Sequence, residues 1–306
     1  MEEMEIYSPL QEIQHQLLET KQIRLWLKRD DLIHPEISGN KWRKLKYNLK
    51  AAKDKEHHTL LSFGGAYSNH ILAVAAAAAI FGFKSIGVIR GEKNEVLNPT
   101  LQKASDYGME LFYLDRASYR NKYDESISQM LKEQFGDFYS IPEGGSNDLA
   151  VKACREVIAE ITIPFDYICS AVGTGATAAG LVAGLKPEQH YVGFPVLKGA
   201  EFLKKEIINF TKSYELLGEW DLQYNYHFGG YAKVDASLID FMNAFTSANK
   251  IPLDPVYTAK MCFGVFDLIA KDHFPKNSNI VMLHTGGLQG IAGMNERIAS
   301  KGWRIQ

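Results

Sequence analysis

Residues 165–185 of the 306-residue chain read FDYICSAVGTGATAAGLVAGL and join an apolar run to a helical pattern through a glycine turn. The apolar run predicts a buried strand, and the small residues after the turn predict a helix that packs closely on a sheet. The other predicted strands cover 23–29, 59–63, 85–90, 110–114, 137–141, 191–197 and 278–287, and helical patterns cover 70–81, 97–107, 117–134 and 147–161. Strand–helix alternation of this kind predicts an α/β fold in which helices cover both faces of parallel sheets.

The length of the chain favours about two domains. It contains no internal repeat, no low-complexity segment and no long Pro/Gly/Ser linker. Since the composition does not change along the chain, a second domain has to be inserted in the first rather than follow it.

Charge and composition argue against several classes of function. The chain has 34 basic and 36 acidic residues, so a net charge of -2 provides no field to attract nucleic acid or a membrane surface. Its 46% hydrophobic and 23% charged residues are typical of a soluble globular protein. The nine histidines include no HExxH pattern, so we expect no metal site.

Targeting and redox signals favour the cytoplasm. The N-terminus is acidic and lacks the apolar run of a signal peptide. The longest apolar stretch, 71–83, is too short and too rich in alanine to span a bilayer. Three dispersed cysteines without a CxxC pair indicate a reducing compartment and predict no disulfide framework.

Residues 38–45, SGNKWRKL, place several cations at a predicted helix start. The Ser-Gly-Asn segment is typical of a loop that enters an N-cap, and the apolar spacing after it predicts a helix. Lys41, Arg43, Lys44 and Lys46 crowd the first turns, where the helix dipole is already positive. Either solvent screens these charges or an anion is held beside them.

The turn at 173–177, GTGAT, precedes a predicted helix, so its N–H groups and its small residues suit the approach of a phosphate. A plain tight turn is the simpler alternative. Gly173, Gly175 and Ala178 also match the dinucleotide pattern GxGxxA, which requires an acid about 20 residues later. Because the first acid is Glu201, inside a predicted helix, a mononucleotide-like phosphate fits better.

Three further polar groups follow predicted strands or begin predicted helices, and the carboxyl ends of parallel strands are where ligands bind. The segment GGAYSNH, 64–70, ends in Ser68, Asn69 and His70; Ser68 is also expected to be an N-cap. The segment DPVYTAK, 254–260, offers Tyr257 and Thr258, and HTGG, 284–287, offers Thr285.

Taken in order, KRDD…SGNKWRKL, SFGGAYSNH, AVGTGAT, DPVYTAK and HTGG resemble the D-cysteine desulfhydrase and 1-aminocyclopropane-1-carboxylate (ACC) deaminase family. Members of this family are pyridoxal-phosphate (PLP) enzymes of fold type II. The resemblance implies two open, mostly parallel twisted sheets flanked by helices. It also implies a small domain, 47–154, inserted into a large domain of 1–46 and 155–306. It further implies an amino-acid substrate and a homodimer.

The resemblance also implies roles for individual residues. Lys41 is similar to the lysine that is linked covalently to PLP, and Tyr257, Ser68 and Lys41 are the expected catalytic residues. The expected cofactor-binding residues are Lys41, Lys44, Asn69, Gly173, Thr174, Gly175, Ala176, Thr177 and Thr285. The expected substrate-binding residues are Ser68, Asn69, His70, Tyr231, Tyr257 and Thr258. Arg43 and Lys46 have no such role and are predicted to form a solvated face.

Two threonines favour one activity within the family. ACC deaminases are similar in carrying a glutamate and a leucine where this chain has Thr258 and Thr285, and both changes match the desulfhydrases. A hydroxyl at the ring nitrogen of PLP leaves the ring closer to neutral than a carboxylate would, which favours expulsion of a group from Cβ. The sequence therefore predicts β-elimination from a D-amino acid such as D-cysteine. ACC deaminase, a dinucleotide-binding oxidoreductase and a non-catalytic PLP-binding protein stay as alternatives.

Overall fold

The computed structural model describes residues 6–93 and 95–306, in which ten strands form two sheets. The strands are β1 Leu10–Glu12, β2 Arg24–Lys28, β3 Thr59–Gly65, β4 Lys84–Arg90, β5 Met109–Leu114, β6 Tyr139–Ile141, β7 Tyr167–Val172, β8 His190–Pro195, β9 Glu219–Leu222 and β10 Asn279–Leu283. The first sheet has the order β1-β2-β10-β7-β8-β9, and the second has the order β5-β4-β3-β6. Every strand pair is parallel except β1 with β2.

Helices cover both faces of each sheet. They are α1 Gln16–Lys21, α2 Asn40–Asp54, α3 Asn69–Phe81, α4 Pro99–Asp106, α5 Arg116–Arg120, α6 Glu125–Phe135, α7 Asp148–Glu160, α8 Ala176–Gly184, α9 Phe202–Thr211, α10 Ala236–Asn249, α11 Thr258–Ala270 and α12 Gly290–Ile298. Side chains alternate along β2, so that Leu25 and Leu27 enter one apolar core and Trp26 enters the core on the opposite face. Among the helices of the described residues, none is long and apolar enough to cross a membrane.

The predicted α/β class, with two mostly parallel sheets flanked by helices, is confirmed. Each predicted strand is present within a few residues, and α3, α4 and α7 match the helical patterns. The sequence patterns did not predict β1, β9 or the helices α1, α10 and α12.

The single helix predicted at 117–134 is wrong, because the chain breaks there into α5 and α6. Asp124 has an extended backbone, with ψ of 149°, and is the N-cap that directly precedes α6. A short acidic side chain favours such an N-cap position over a helix interior. Within the break, Lys122 pairs with Glu143 at 3.1 Å.

The predicted domain boundaries both fall inside helices. Residue 46 lies in α2 and residue 154 lies in α7, and these two helices pack against each other. All four strands of the second sheet come from the segment 47–154, and the first sheet comes from the rest of the chain. The division into domains stays a prediction, and its residues 1–5 lie outside the described part of the chain.

The placement of α2 depends on one buried cation. Arg43 is fully buried, so the prediction of a solvated face is wrong for this residue. Its guanidinium donates to both carboxylate oxygens of Asp30 at 2.6 and 2.7 Å and to those of Glu160 at 2.7 and 2.8 Å. Burial by itself lowers the pKa of Arg43, but Asp30 and Glu160 outweigh it and raise that pKa. Two bidentate contacts between a guanidinium and a carboxylate fix both the position and the rotation of the helix.

Replacement of Arg43 by Met is expected to lower the free energy of unfolding by about 3–5 kcal/mol, because it leaves the buried Asp30 carboxylate unpaired. Urea denaturation measures this loss. Lys46→Met is the matched control on the same helix; its partner Glu156 is partly exposed, so the expected loss is below about 1 kcal/mol. Equal losses in the two variants would contradict the anchoring role of Arg43.

Candidate active site

The four cations of α2 divide into two pairs. Arg43 is held by Asp30 and Glu160, and Lys46 pairs with Glu156 on α7. Among the described residues, neither Lys41 nor Lys44 has a carboxylate at ion-pair distance. Because these two lysines are three residues apart, they lie on one face of the helix. The helix therefore directs two uncompensated amines to the same side.

Lys44 lies among neutral oxygens. It is buried, and its Nζ is 3.2 Å from the carbonyl of Gly144, 3.4 Å from Ser146 Oγ and 3.5 Å from Thr174 Oγ1. Burial lowers the pKa of this amine. Three long contacts to uncharged acceptors are a weak environment for a buried ammonium group, whereas an anion beside it would be strongly attracted.

The predicted phosphate turn meets Lys44 through Thr174. Gly175 has a left-handed backbone, with φ of +90°, and α8 begins directly after it at Ala176. The first N–H groups of a helix have no partner within it, and the dipole makes this end positive. Thr177 accepts a hydrogen bond from Asn40 Nδ2 at 2.9 Å, which joins the start of α8 to the start of α2.

The amine of Lys41 is readily deprotonated. Burial and, next, the charge of Lys44 lower its pKa to about 7, while Cys154 and Asp254 act in the opposite direction. Near neutral pH a large fraction of this lysine is therefore neutral and nucleophilic. An amine in this state can both bond to a carbonyl carbon and accept a proton.

Two glycine turns interlock at the start of α2. Gly39 has φ of +62°, and a Cβ on it would lie 2.0 Å from the carbonyl oxygen of Thr285. Gly286 has φ of +77°, and a Cβ on it would lie 2.1 Å from Ser38 Oγ. Only glycine fits at either position, and the contact brings the buried Thr285 beside the helix that carries Lys41.

The turn after β3 supplies Ser68 and Asn69. Ser68 is the predicted N-cap of α3, and its Oγ accepts from the Ile71 N–H at 3.3 Å. Asn69 begins the helix, and its Nδ2 would lie 2.9 Å from a Cβ on Gly287. The turns at 64–70 and 284–287 therefore meet at the same place.

His70 points into the protein. It is buried, and its Nε2 is 2.8 Å from Ser62 Oγ. Burial, followed by the charges of Lys41 and Lys44, holds the pKa of His70 well below its usual range. The ring is therefore neutral and packs close to the Gly145 backbone.

Tyr257 lies over the phosphate turn. A Cβ on Gly173 would be 3.1 Å from the Tyr257 ring, and the Tyr257 hydroxyl donates to that of Tyr231 at 3.4 Å. Burial, and next the neighbouring Tyr231, raise the pKa of Tyr257 well above its usual range. The phenol keeps its proton near neutral pH and acts as a hydrogen-bond donor.

Asp254 organises the segment that carries Tyr257. This buried carboxylate accepts from the N–H groups of Val256 and Tyr257 at 2.9 Å and of Thr258 at 2.7 Å. Thr258 is buried too, and its hydroxyl donates to Asp254 at 2.8 Å. Since Asp254 also raises the pKa of Lys41, it links the position of Tyr257 to the charge of the lysine.

The structure thus brings the predicted site residues together, but three contributors were missed. Asp254, Gly144 and Ser146 had no predicted role. Gly144 and Ser146 belong to a fourth glycine turn, EGGSN, that follows the predicted strand at 137–141 and matches the other three in kind. Asp254 carried no signal beyond its place at the start of DPVYTAK.

Comparison with known proteins identifies the class. The sequence pattern of the Pyridoxal-phosphate dependent enzyme family matches residues 2–286. The chain belongs to this family, and PLP is its cofactor. This assignment leaves no support for the dinucleotide alternative.

Individual relatives are more specific. Two relatives, one of Pyrococcus horikoshii and one of Thermotoga maritima, carry the provisional name 1-aminocyclopropane-1-carboxylate deaminase. They are 32% and 33% identical to this chain, respectively, and each alignment covers 90% of it. The alignments cover 88% and 92% of the relatives' own lengths. The bifunctional D-cysteine desulfhydrase/1-aminocyclopropane-1-carboxylate deaminase of Arabidopsis thaliana is 30% identical over 90% of the chain and 75% of its own length.

Solved structures agree with the fold. The structure of an ACC deaminase homologue has a TM-score of 0.84 and 28% identity, covering 97% of this chain and 94% of its own. O-acetylserine-dependent cystathionine β-synthase of Helicobacter pylori has a TM-score of 0.68 at 14% identity, with 94% of each chain covered. The second likeness shows a shared fold of type II.

The amine of Lys41 is expected to titrate near pH 7 in the apoprotein. Below this pH it is mainly protonated and unreactive, and its reaction with an acylating reagent rises as the pH passes through the pKa. Peptide mass spectrometry after short labelling pulses at a series of pH values gives the midpoint. In Asp254→Asn, which removes a charge that raises this pKa, the midpoint is expected to fall. A midpoint near 10, or one unchanged in the variant, contradicts this account.

Proposed function

We propose that the protein is a PLP-dependent lyase that catalyses β-elimination from a D-amino acid. With D-cysteine, one water is consumed and the products are pyruvate, hydrogen sulfide and ammonia. The observation that supports this most is the division of the α2 cations. Arg43 and Lys46 are paired with carboxylates, while Lys41 and Lys44 have no carboxylate at ion-pair distance among the described residues.

The described residues suit PLP. Lys44, Ser146 Oγ, Thr174 Oγ1 and the start of α8 provide a cationic and hydrogen-bonding cradle for a phosphate dianion. We assign Lys41 as the residue that attaches the cofactor. When bound, PLP withdraws electrons from the substrate Cα and so makes its proton acidic.

The cofactor-binding set in the proposal also includes Asn69 and Thr285, at the two turns that meet beside Gly287. Asn69 would hold the 3-hydroxyl side of the ring, and the Thr285 hydroxyl would serve the ring nitrogen. Thr285 is buried on the strand-end turn that contacts Gly39. This contact holds its backbone at a fixed distance from the start of α2.

The substrate carboxylate is assigned to Ser68 and Asn69. Both residues are half-buried at the start of α3, where free helix N–H groups and the positive dipole end favour an anion. Because Ser68 also caps the helix, its hydroxyl is held in place before a substrate arrives. Preorganised donors of this kind orient a substrate without further loss of freedom.

Proton transfer at Cα is assigned to Lys41. Its lowered pKa leaves the amine free to accept the proton at neutral pH. Tyr257, whose pKa is raised, donates a hydrogen bond to the departing thiol or hydroxyl group or to the substrate. Tyr231, at the exposed side of Tyr257, closes this part of the cleft.

Elimination is favoured over ACC ring opening by Thr258 and Thr285. The residue directly after Tyr257 is Thr258, whose hydroxyl donates to Asp254, so this position provides no acid to assist a ring-opening reaction. ACC deamination is the second candidate, because relatives over 90% of this chain carry that name. The proposal further includes a homodimer and a cytoplasmic location.

A panel of five substrates tests the reaction. We expect pyruvate from D-cysteine and β-chloro-D-alanine at rates at least about tenfold above 2-oxobutanoate from ACC, a difference of roughly 1.4 kcal/mol in barrier. D-Serine and L-cysteine measure the demand for a good leaving group and for D configuration. Lys41→Ala is expected to lose all turnover; full activity of this variant with D-cysteine would overturn the mechanism.

Replacement of Tyr257 by Phe is expected to lower kcat for D-cysteine by about 10²-fold, the lower end of contributions from general acid–base groups, with little change in KM. The reason is the loss of a donor that acts on the leaving group. Tyr226→Phe is the matched control, because its hydroxyl donates to Asp267 at 2.7 Å away from the cleft. A change in KM alone would assign Tyr257 to substrate binding instead.

A further inference from the structure

A cavity lies at the carboxyl edge of the second sheet, beside β4 and β5. It has a volume of about 580 Å³ and is lined by residues from the ends of both strands and from α4 and α5. Small-molecule sites typically enclose about 300–1,000 Å³, and in open α/β sheets they lie at this edge. None of the residues assigned to PLP or its substrate lines it.

Two arginines face this cavity without a partner. Arg90 ends β4 and Arg116 begins α5; both are exposed, and neither guanidinium forms an ion pair or a hydrogen bond within 6–93 and 95–306. The carboxylate of Asp115, also in the lining, is occupied by the N–H groups of Ala117 and Ser118. Glu92 is exposed at the rim. The guanidinium groups are therefore available for an anion.

Apolar side chains form part of the lining. Ile89 and Leu101 provide a buried apolar wall. Such a wall suits the apolar body of a small molecule.

The cavity borders the candidate active site. Asn98, in its wall, donates to the carbonyl of Ala66 at 2.9 Å, and Ala66 belongs to the turn that ends in Ser68 and Asn69. Burial raises the pKa of Tyr231, and the positive charge of Arg90 is among the influences that lower this pKa. The charge of Arg90 therefore acts on a residue of the candidate active site. An occupant would lie against the back of the substrate turn.

We propose that this cavity binds a small metabolite with an apolar body and an anionic group, either a phosphate monoester or a carboxylate. Arg90 and Arg116 hold the anion, and the apolar wall receives its body. The site is separate from the one that holds PLP and the amino acid.

Calorimetric titration of the PLP-loaded protein tests the proposal, since the cofactor then occupies its own phosphate cradle. The probes are phenyl phosphate and benzoate, which share a body and differ in the anion, and benzamide as the neutral counterpart. The variant is R90Q/R116Q. Arg120→Gln is the matched control, because Arg120 is one turn further along α5 and does not line the cavity.

At least one anion is expected to bind wild type and Arg120→Gln at one site, at least about tenfold more tightly than R90Q/R116Q, because two charge-assisted contacts are lost. Binding of phenyl phosphate alone identifies a phosphate monoester, and binding of benzoate alone identifies a carboxylate. The proposal is overturned if neither anion saturates, if benzamide binds equally well, or if R90Q/R116Q matches Arg120→Gln.

Discussion

The buried contact of Arg43 with Asp30 and Glu160 determines where the candidate site can form. Asp30 follows β2 of the first sheet, Glu160 ends α7, and Arg43 belongs to α2, so three elements meet at one guanidinium. With α2 held in this orientation, the helix period turns Lys41 and Lys44 away from the carboxylates.

Their isolation from carboxylates gives the two lysines their chemistry. A lysine with an acid partner keeps its ordinary charge, whereas burial beside another cation favours the neutral amine. The arrangement costs stability, because both amines are desolvated and the described partners of Lys44 are only hydroxyl and carbonyl oxygens. Asp254 limits this cost through its charge on Lys41, and it simultaneously orders the turn that presents Tyr257. The binding of an anionic cofactor would offset the rest.

The success of the sequence in locating the site has a simple origin. Glycine turns after apolar runs reveal both the strand ends and the places where backbone must approach closely, as the contact of Gly39 with Thr285 shows. The helix α10 was missed because no such turn precedes it. The break at Asp124 was missed because a helical pattern runs through it, although the residue itself favours a helix start.

The sequence by itself determined the α/β class, the strand ends that carry polar side chains and, through family resemblance, the choice of PLP. These properties follow from local periodicity and from short motifs. Only the tertiary structure decided which cations of α2 are structural and which face the cleft. Arg43 and Lys44 are neighbours of the same charge in the sequence, and nothing local separates them. Their fates differ because the carboxylates Asp30 and Glu160 lie 13 and 117 residues away and reach only one side of the helix.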